Sequence, residues 1–213
     1  LIWSAKILLG KILYKKIKSN LFEKTCVSTS HFFRDFTDYE TKIPAFFADY
    51  KKPLNILSIG CADGQEPYSI AIFCLDKNIP CNIIGIDVSE KAINIAKKAK
   101  YDLSLELKKM EENNNFDWTK KYKDYFIFEN DIFTPIEKVR SCVTFIKKSA
   151  SDISYQNDFH FIFARKMLYY IPANERKAVL KKLRNSIKNG LDPKEHLIFD
   201  TSSYKRIPEL KYI

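Results

Sequence analysis

Features that would mark a metal or disulfide protein are scarce in this sequence of 213 residues. It has three histidines, His31, His160 and His196, and five cysteines without a Cys-x-x-Cys pair. Neither residue type has the spacing that metal ligands usually have. An odd number of cysteines, several of them in predicted core elements, is typical of reduced thiols in a cytosolic protein. We therefore expect no metal site, no disulfide framework and a cytoplasmic location.

Long apolar runs are also absent. The first twenty residues read LIWSAKILLGKILYKKIKSN, so lysines interrupt each apolar stretch before it reaches the roughly 20 residues that cross a bilayer. The lysines are spread through the segment, unlike those of a signal peptide. The spacing predicts a basic amphipathic helix, and two placements stay open: packing against the rest of the domain, or peripheral contact with a membrane surface. Because the first residue is not Met, we expect further residues upstream.

The net charge is +10, and the positive surplus lies near the two ends of the chain. Residues 1–24 have six lysines against one glutamate, and residues 174–213 have ten Lys and Arg against five acids. Such ends could attract nucleic acid, anionic lipid or an acidic protein. Many lysine-rich proteins are nevertheless basic without any such partner.

Residues 56–69, ILSIGCADGQEPYS, have the pattern of a strand, a tight turn and a helix. Gly60 and Gly64 lack a Cβ, so the chain can turn sharply and a ligand can lie against the backbone. A second apolar run, residues 82–86, ends in Asp87, where nucleoside-binding sheets place an acceptor for ribose hydroxyls. Together these features favour an α/β sheet with a nucleotide pocket over two buried strands with plain surface turns.

Three stretches resemble motifs of the chemotaxis receptor methyltransferases of the CheR type, in the order in which that family has them. Residues 60–69, GCADGQEPYS, resemble its GCSTGEEPYS signature. Residues 28–35, STSHFFRD, resemble its N-x-T-x-FFR-D segment, and residues 159–170, FHFIFARKMLYY, resemble its FDxIxCRNVxIYF strand. The resemblance runs from about Ser28 to the end of the chain. It implies an enzyme that uses S-adenosylmethionine to esterify glutamate side chains of a protein, a chemoreceptor being one candidate substrate.

The resemblance implies an α/β, Rossmann-like class I methyltransferase fold, with a mostly parallel sheet, helices on both faces and preceding N-terminal helices. Residues 1–50 are then the N-terminal helical segment, and residues 51–213 the S-adenosylmethionine-binding catalytic domain. The family has a small antiparallel subdomain, which docks onto the receptor, between its second and third strands. Here the corresponding stretch, residues 101–125, is expected to be short, charged and mostly helical, with a strand and turn over residues 126–132 after it. Residues 135–158 suggest an additional helix or strand, and residues 209–213 resemble a shortened last strand.

The matched motifs also imply site residues. Cofactor contacts are expected from Ser28, Ser30, Arg34, Gly60, Cys61, Gly64, Glu66, Asp87, Asp131, Ile132, Arg165 and Lys166. Catalytic roles are expected for Arg34, Arg165 and Tyr170. The guanidinium of Arg34 is a bidentate donor suited to a carboxylate near the reacting centre. Glu66 would accept a hydrogen bond from the α-ammonium group of the cofactor, and Asp131 with Ile132 would approach its adenine.

Simpler roles stay open for several of these residues. Arg34 could form only a surface ion pair with a neighbouring aspartate, Glu66 could serve only the helix dipole, and Tyr170 could be a packing residue. The chain also departs from the family pattern, because Gln65 replaces a glutamate and Lys166 replaces an asparagine. The substitution at position 166 removes an amide acceptor and adds a cation.

A glutamate carboxylate is ionised at neutral pH, so its methylation needs no general base, and no Ser/His/Asp or Cys/His arrangement is required. Two other interpretations stay open: a methyltransferase with a small-molecule or nucleic-acid acceptor, and a non-catalytic cofactor-binding or interaction module. The sequence lacks an NPPY-like motif, which argues against amino groups of nucleic acid as acceptors. No feature of the sequence specifies an oligomeric state.

Overall fold

The computed structural model describes residues 30–34, 37–50, 52–112 and 117–212. The predicted basic helix at the start of the chain and Ser28 lie outside these residues. The strands are β1 (Leu54–Ile59), β2 (Cys81–Asp87), β3 (Tyr101–Asp102), β4 (Phe126–Glu129), β5 (Ile132–Pro135), β6 (Val143–Lys147), β7 (Phe161–Phe163) and β8 (Leu197–Ile198). The α-helices are α1 (Thr37–Tyr50), α2 (Gln65–Asp76), α3 (Glu90–Lys98), α4 (Leu103–Glu112), α5 (Trp118–Lys121), α6 (Glu137–Arg140), α7 (Ala173–Ser186), α8 (Pro193–His196) and α9 (Thr201–Arg206). Short 3-10 helices span Lys123–Tyr125, Ala150–Asp152, Leu168–Tyr170 and Pro208–Tyr212.

The centre of the molecule is a five-stranded parallel sheet with the order β6-β2-β1-β7-β8. Counted along the chain, its strands stand in the doubly wound order 3-2-1-4-5. The order reverses at β1, and such sheets bind their ligands in the crevice at the carboxyl ends of the strands beside this point. The predicted Rossmann-like fold is confirmed.

Helices cover both faces of this sheet. Successive strand residues point to opposite faces, and accordingly Ile56 and Leu57 of β1 belong to two different core clusters. Ile56 shares its cluster with Ile72 of α2 and Ile93 of α3. Leu57 shares its cluster with Leu183 of α7. The site at the carboxyl ends of the strands is therefore carried by a sheet that is packed on both sides.

A second, three-stranded antiparallel sheet has the order β3-β5-β4. Phe126–Glu129 is a strand, as predicted, and it belongs to this second sheet. The position beside β2 is taken by Val143–Lys147, from the stretch in which the sequence suggested an additional helix or strand. Asn130, with a φ of 54°, and Asp131 form the two-residue turn between β4 and β5, which is typical of an antiparallel hairpin.

The hydroxyl of Ser89 accepts a hydrogen bond from the Ala92 N–H at 3.2 Å and caps α3. The prediction that residues 101–125 are mostly helical agrees with their described part. The predicted strand over residues 209–213 is wrong, because Pro208–Tyr212 is a 3-10 helix. Within the described ranges no helix is both long and apolar enough to cross a membrane.

Candidate functional site

The turn after β1 begins at Gly60, whose φ of 69° is in the left-handed region that glycine adopts without steric cost. Its N–H donates to the Ile86 carbonyl of β2 at 2.8 Å. A Cβ on Gly60 would lie 2.9 Å from the Cβ of Met167, in the loop that follows β7. The absence of a side chain at Gly60 therefore lets the loops after β1 and β7 meet, and leaves the backbone of the turn exposed.

Gly64 closes the same turn but has a different role. It is buried, has a φ of 90°, and a Cβ there would lie 2.8 Å from Ala96 Cβ and 2.9 Å from Phe145 Cζ. The space at Gly64 is thus filled by protein atoms from α3 and β6. The sequence predicted that both glycines admit a ligand, and of the two only Gly60 is exposed.

Asp87 ends β2 and faces the turn after β1. Its carboxylate accepts from the Ala62 N–H at 2.9 Å and from the Ser89 N–H at 2.8 Å. Burial raises the pKa of Asp87, and the backbone N–H groups of Ser89, Ala62 and Val88 oppose this shift. A carboxylate has about four lone-pair sites, so Asp87 keeps acceptor capacity for a further hydroxyl group.

Arg165 directly connects two other predicted site residues, Glu66 and Arg34. Its Nε donates to the Glu66 carboxylate at 2.7 Å, and its Nη1 donates to the Arg34 carbonyl at 2.9 Å. Glu66 also accepts from the Ser58 hydroxyl at 2.7 Å. The ion pair is buried, with 4% of the Arg165 side chain and 15% of the Glu66 side chain exposed. Glu66 therefore bonds to the strands beside it, and a role limited to the helix dipole does not describe its contacts.

Asp200, which the sequence analysis did not single out, organises the loop after β7. Its buried carboxylate accepts from the Lys166 N–H at 2.8 Å and from the Tyr169 hydroxyl at 3.3 Å. It also caps α9 through the N–H of Ser203. The sequence signal for the cap was present, because aspartate before a helix is a common N-cap; the contact with the loop depends on the tertiary structure.

Lys166 and Tyr170 lie in this loop. Lys166 is half-buried and has a φ of 55°, a conformation that is uncommon for residues other than glycine. Tyr170 stands in the 3-10 helix Leu168–Tyr170 and is 63% exposed. More than half of its surface is therefore exposed to solvent, and its catalytic role stays a prediction.

The segment of residues 30–34 packs against the second sheet. Phe32 is fully buried, with its ring 5.1 to 5.6 Å from those of Tyr101, Trp118 and Phe133. Phe33 stacks on Tyr122 at 4.6 Å. These contacts place Arg34 beside Arg165, whereas Ser30 lies at the other end of the segment and binds through its carbonyl to Lys109 at 2.9 Å.

The predicted adenine contacts, Asp131 and Ile132, follow β4. Both are exposed, and Ile132 pairs with Asp102 in the second sheet. They do not stand at the end of a strand of the main sheet, and their contact with adenine stays a prediction. The loop after β6 takes that place, since the Lys148 N–H donates to the Asp87 carbonyl at 2.9 Å.

Cys61 is buried in the turn after β1. Burial, followed by the charges of Asp87 and Glu66, raises the pKa of its thiol well above the ordinary value. The thiol therefore stays protonated and is a poor nucleophile. Among the residues that the structure describes, no three His, Cys, Asp or Glu side chains form a group that could hold a metal ion.

Comparison with known proteins gives consistent matches. The family model of the CheR methyltransferase, SAM binding domain, matches residues 28–191. A chemotaxis protein methyltransferase of Listeria innocua is 23% identical over 171 residues, which are 77% of this chain and 62% of that protein. A chemotaxis protein methyltransferase of Campylobacter jejuni is 26% identical over 177 residues, which are 82% of this chain and 65% of that protein.

Among solved structures, the plantazolicin methyltransferase BpumL in complex with SAH is similar with a TM-score of 0.45 and 19% identity, over 82% of this chain and 50% of that chain. This chain spans 62% and 65% of the two relatives' own lengths. The family model itself covers most of the chain, including the turn after β1 and the loop after β7. The chain belongs to the CheR methyltransferase family and contains its SAM-binding domain.

Proposed function

We propose that this protein binds S-adenosylmethionine at the carboxyl ends of β1, β2 and β7 and transfers its methyl group to a glutamate carboxylate of a protein. The observation that carries the proposal is the chain of contacts from Glu66 through Arg165 to Arg34. These contacts join the start of α2, the loop after β7 and the segment of residues 30–34. Each of these three parts lies in one of the three stretches that resemble motifs of the same family.

The residues present fit the cofactor. Asp87 has acceptor capacity left for a ribose hydroxyl, and the exposed backbone of Gly60 allows a ligand to lie against the turn. Glu66 accepts one hydrogen bond on each carboxylate oxygen, so a further lone pair on each is available to an ammonium group. The loop of Lys148 and Ser149, beside Asp87, is the part of the main sheet's edge that would border the adenine.

The cofactor would supply an electrophilic methyl group on a sulfonium. The chain's own residues then bind and orient, because an ionised carboxylate attacks without a general base. Arg165 fixes Glu66 and the backbone of Arg34, and the Arg34 guanidinium would bind a carboxylate near the reacting atoms. Alignment of two bound reactants is itself a large source of rate acceleration.

A protein as methyl acceptor is supported by the second sheet. Among the described strands, its edge strand β4 pairs with β5 alone, and Ile127 and Phe128 on it are 50% and 42% exposed. Such an edge can pair with an extended peptide. The matched relatives are named chemotaxis protein methyltransferase, which agrees with a chemoreceptor as one candidate acceptor.

The first test is calorimetric titration of the purified protein with S-adenosylhomocysteine. We expect a single site with a micromolar dissociation constant. The second test incubates the protein with S-adenosylmethionine that carries a labelled methyl group, together with membrane and soluble extracts. We expect label on protein that mild base releases as methanol, and none when this protein is omitted.

The outcomes separate the alternatives. Base-stable label would mean that the acceptor is not a carboxylate. Binding of S-adenosylhomocysteine without any transfer would indicate a cofactor-binding module that does not catalyse. A folded sample that does not bind S-adenosylhomocysteine would contradict the whole proposal.

A further inference from the structure

A buried carboxylate on α4 is not used by the proposed mechanism. Glu106 is 3% exposed and is the only buried side chain among the described residues of that helix. Its carboxylate accepts a hydrogen bond from the Phe32 N–H, 74 positions earlier in the chain. Lys109, three residues further on the same helix face, donates to the Ser30 carbonyl at 2.9 Å. Two side chains of α4 thus hold two backbone groups of residues 30–34.

Core packing does not explain a glutamate at this position. Removing a carboxylate from water costs several kcal/mol unless bonds compensate, and an apolar side chain would pack at position 106 without that cost. Burial raises the pKa of Glu106 to about 7, and the Phe32 N–H and Lys109 oppose the shift. The other titratable groups nearby are the buried phenol of Tyr101 on β3 and buried His31 next to Phe32.

The held segment contains a strained turn. Phe33 has a φ of 55°, which costs a bulky residue roughly 1–2 kcal/mol and persists only where the surroundings enforce it. On one side of Phe33, Glu106 binds the Phe32 N–H. The N–H of Phe33 itself donates to the Ser69 hydroxyl at 2.8 Å. The next residue is Arg34, so this turn sets the direction in which Arg34 leaves the core.

We propose that Glu106, with Lys109, is a positioning residue that docks residues 30–34 onto the second sheet and thereby places Arg34 beside Arg165. The inference rests on the proposed cofactor site, in which Arg34 acts. The contact connects α4, which directly follows β3 of the second sheet, with the part of the proposed site near Arg34 and Arg165 at the five-stranded sheet.

Protonation should favour the docked segment. The pKa of Glu106 is about 7 when the segment covers it and about 4.5 when it meets water. Docking therefore takes up a proton between these values, and it weakens as the pH rises from 4.5 to 7. Glu106→Gln, which is neutral at every pH and keeps an acceptor for the Phe32 N–H, should dock without this dependence.

The test measures hydrogen exchange of the peptide that contains residues 30–34, corrected for intrinsic rates, at pH values from 5 to 8. In the wild type we expect protection to fall between pH 5 and about 7 and then to level off, and in Glu106→Gln we expect it to be constant. Glu106→Ala should lower protection at all pH values. It should also weaken the binding of S-adenosylhomocysteine by about tenfold, because leaving one buried N–H donor without its acceptor costs at least about this factor in affinity. Glu112→Gln, at an exposed position of the same helix, is the matched control and should resemble the wild type.

The results distinguish this inference from the proposed function. If the wild type does not bind S-adenosylhomocysteine, the proposed function fails. If it binds, but Glu106→Ala has wild-type affinity and wild-type protection, the positioning role is refuted. Should Glu106→Ala fail to fold, Glu106→Gln decides: protection that still falls with pH in this variant would overturn the assignment to Glu106.

Discussion

The ion pair of Arg165 and Glu66 allows a quantitative prediction. In Arg165→Met, the Glu66 carboxylate loses its buried cation and keeps the Ser58 hydroxyl as its one remaining partner among the bonds described above. Breaking a buried pair by removing one partner costs about 3–5 kcal/mol, a large share of the roughly 5–15 kcal/mol that stabilise a typical domain. The Arg34 carbonyl loses its donor as well.

Urea unfolding, followed by tryptophan fluorescence, measures this loss. With a slope of about 2 kcal/mol per M, we expect the midpoint of Arg165→Met to fall by roughly 2 M. The double variant Glu66→Gln/Arg165→Met has no buried charge left over, so its loss should be well below the sum of the two single losses. Lys147→Met is the matched control, because Lys147 and Glu90 lie 2.8 Å apart but are 51% and 66% exposed. We expect no measurable shift there.

The reasoning would be refuted by additivity. If the double variant loses the sum of the single variants within about 0.5 kcal/mol, the two side chains do not act as a pair. Equal shifts for Arg165→Met and Lys147→Met would also refute it, since burial is the property that separates the two ion pairs.

Three further predictions follow from contacts elsewhere. Asp87→Ala should weaken the binding of S-adenosylhomocysteine by about tenfold or more, measured by calorimetry against the exposed control Asp124→Ala; equal affinities would remove Asp87 from the site. Asp200→Ala should destabilise the fold by about 1–3 kcal/mol and reduce methyl transfer, because the Lys166 N–H loses its acceptor; wild-type values of both would show that Asp200 does not hold the loop. Burial lowers the pKa of His160 from 6.5 to about 4, so the contribution of His160 to the free energy of unfolding should fall by up to about 3 kcal/mol between pH 6.5 and 4. It is measured as the difference between the wild type and His160→Asn, because Glu106 shifts the stability in the opposite direction over this range. His160→Asn should remove this loss, and an identical decline in that variant would contradict it.

The first half of the main sheet could be predicted from local sequence. The apolar runs that end in Gly60 and Asp87 specify two strands, and the spacing after Gly64 specifies a helix, because these signals depend only on neighbouring residues. The proposed cofactor contacts come from the same stretches. Asp87 ends β2, and Glu66 lies in the first turn of the helix that follows the adjacent strand β1.

The third strand of the main sheet could not be predicted in this way. Phe126–Glu129 and Val143–Lys147 are both short and rich in apolar residues, and a strand's partner is distant in sequence. The turn of Asn130 and Asp131 is the local signal for the β4–β5 hairpin. It does not indicate that β6 is the strand that pairs with β2.

The sequence by itself determined the fold class, the order of the motifs and most of the side chains that meet at the site. Only the tertiary structure decided that Arg165 joins Glu66 to Arg34, that Asp200 holds the loop after β7, and that Glu106 binds the Phe32 N–H. Each of these contacts connects residues at least 34 positions apart. Such contacts form because folding brings buried polar groups together that must find partners, and no local pattern records which partner they find.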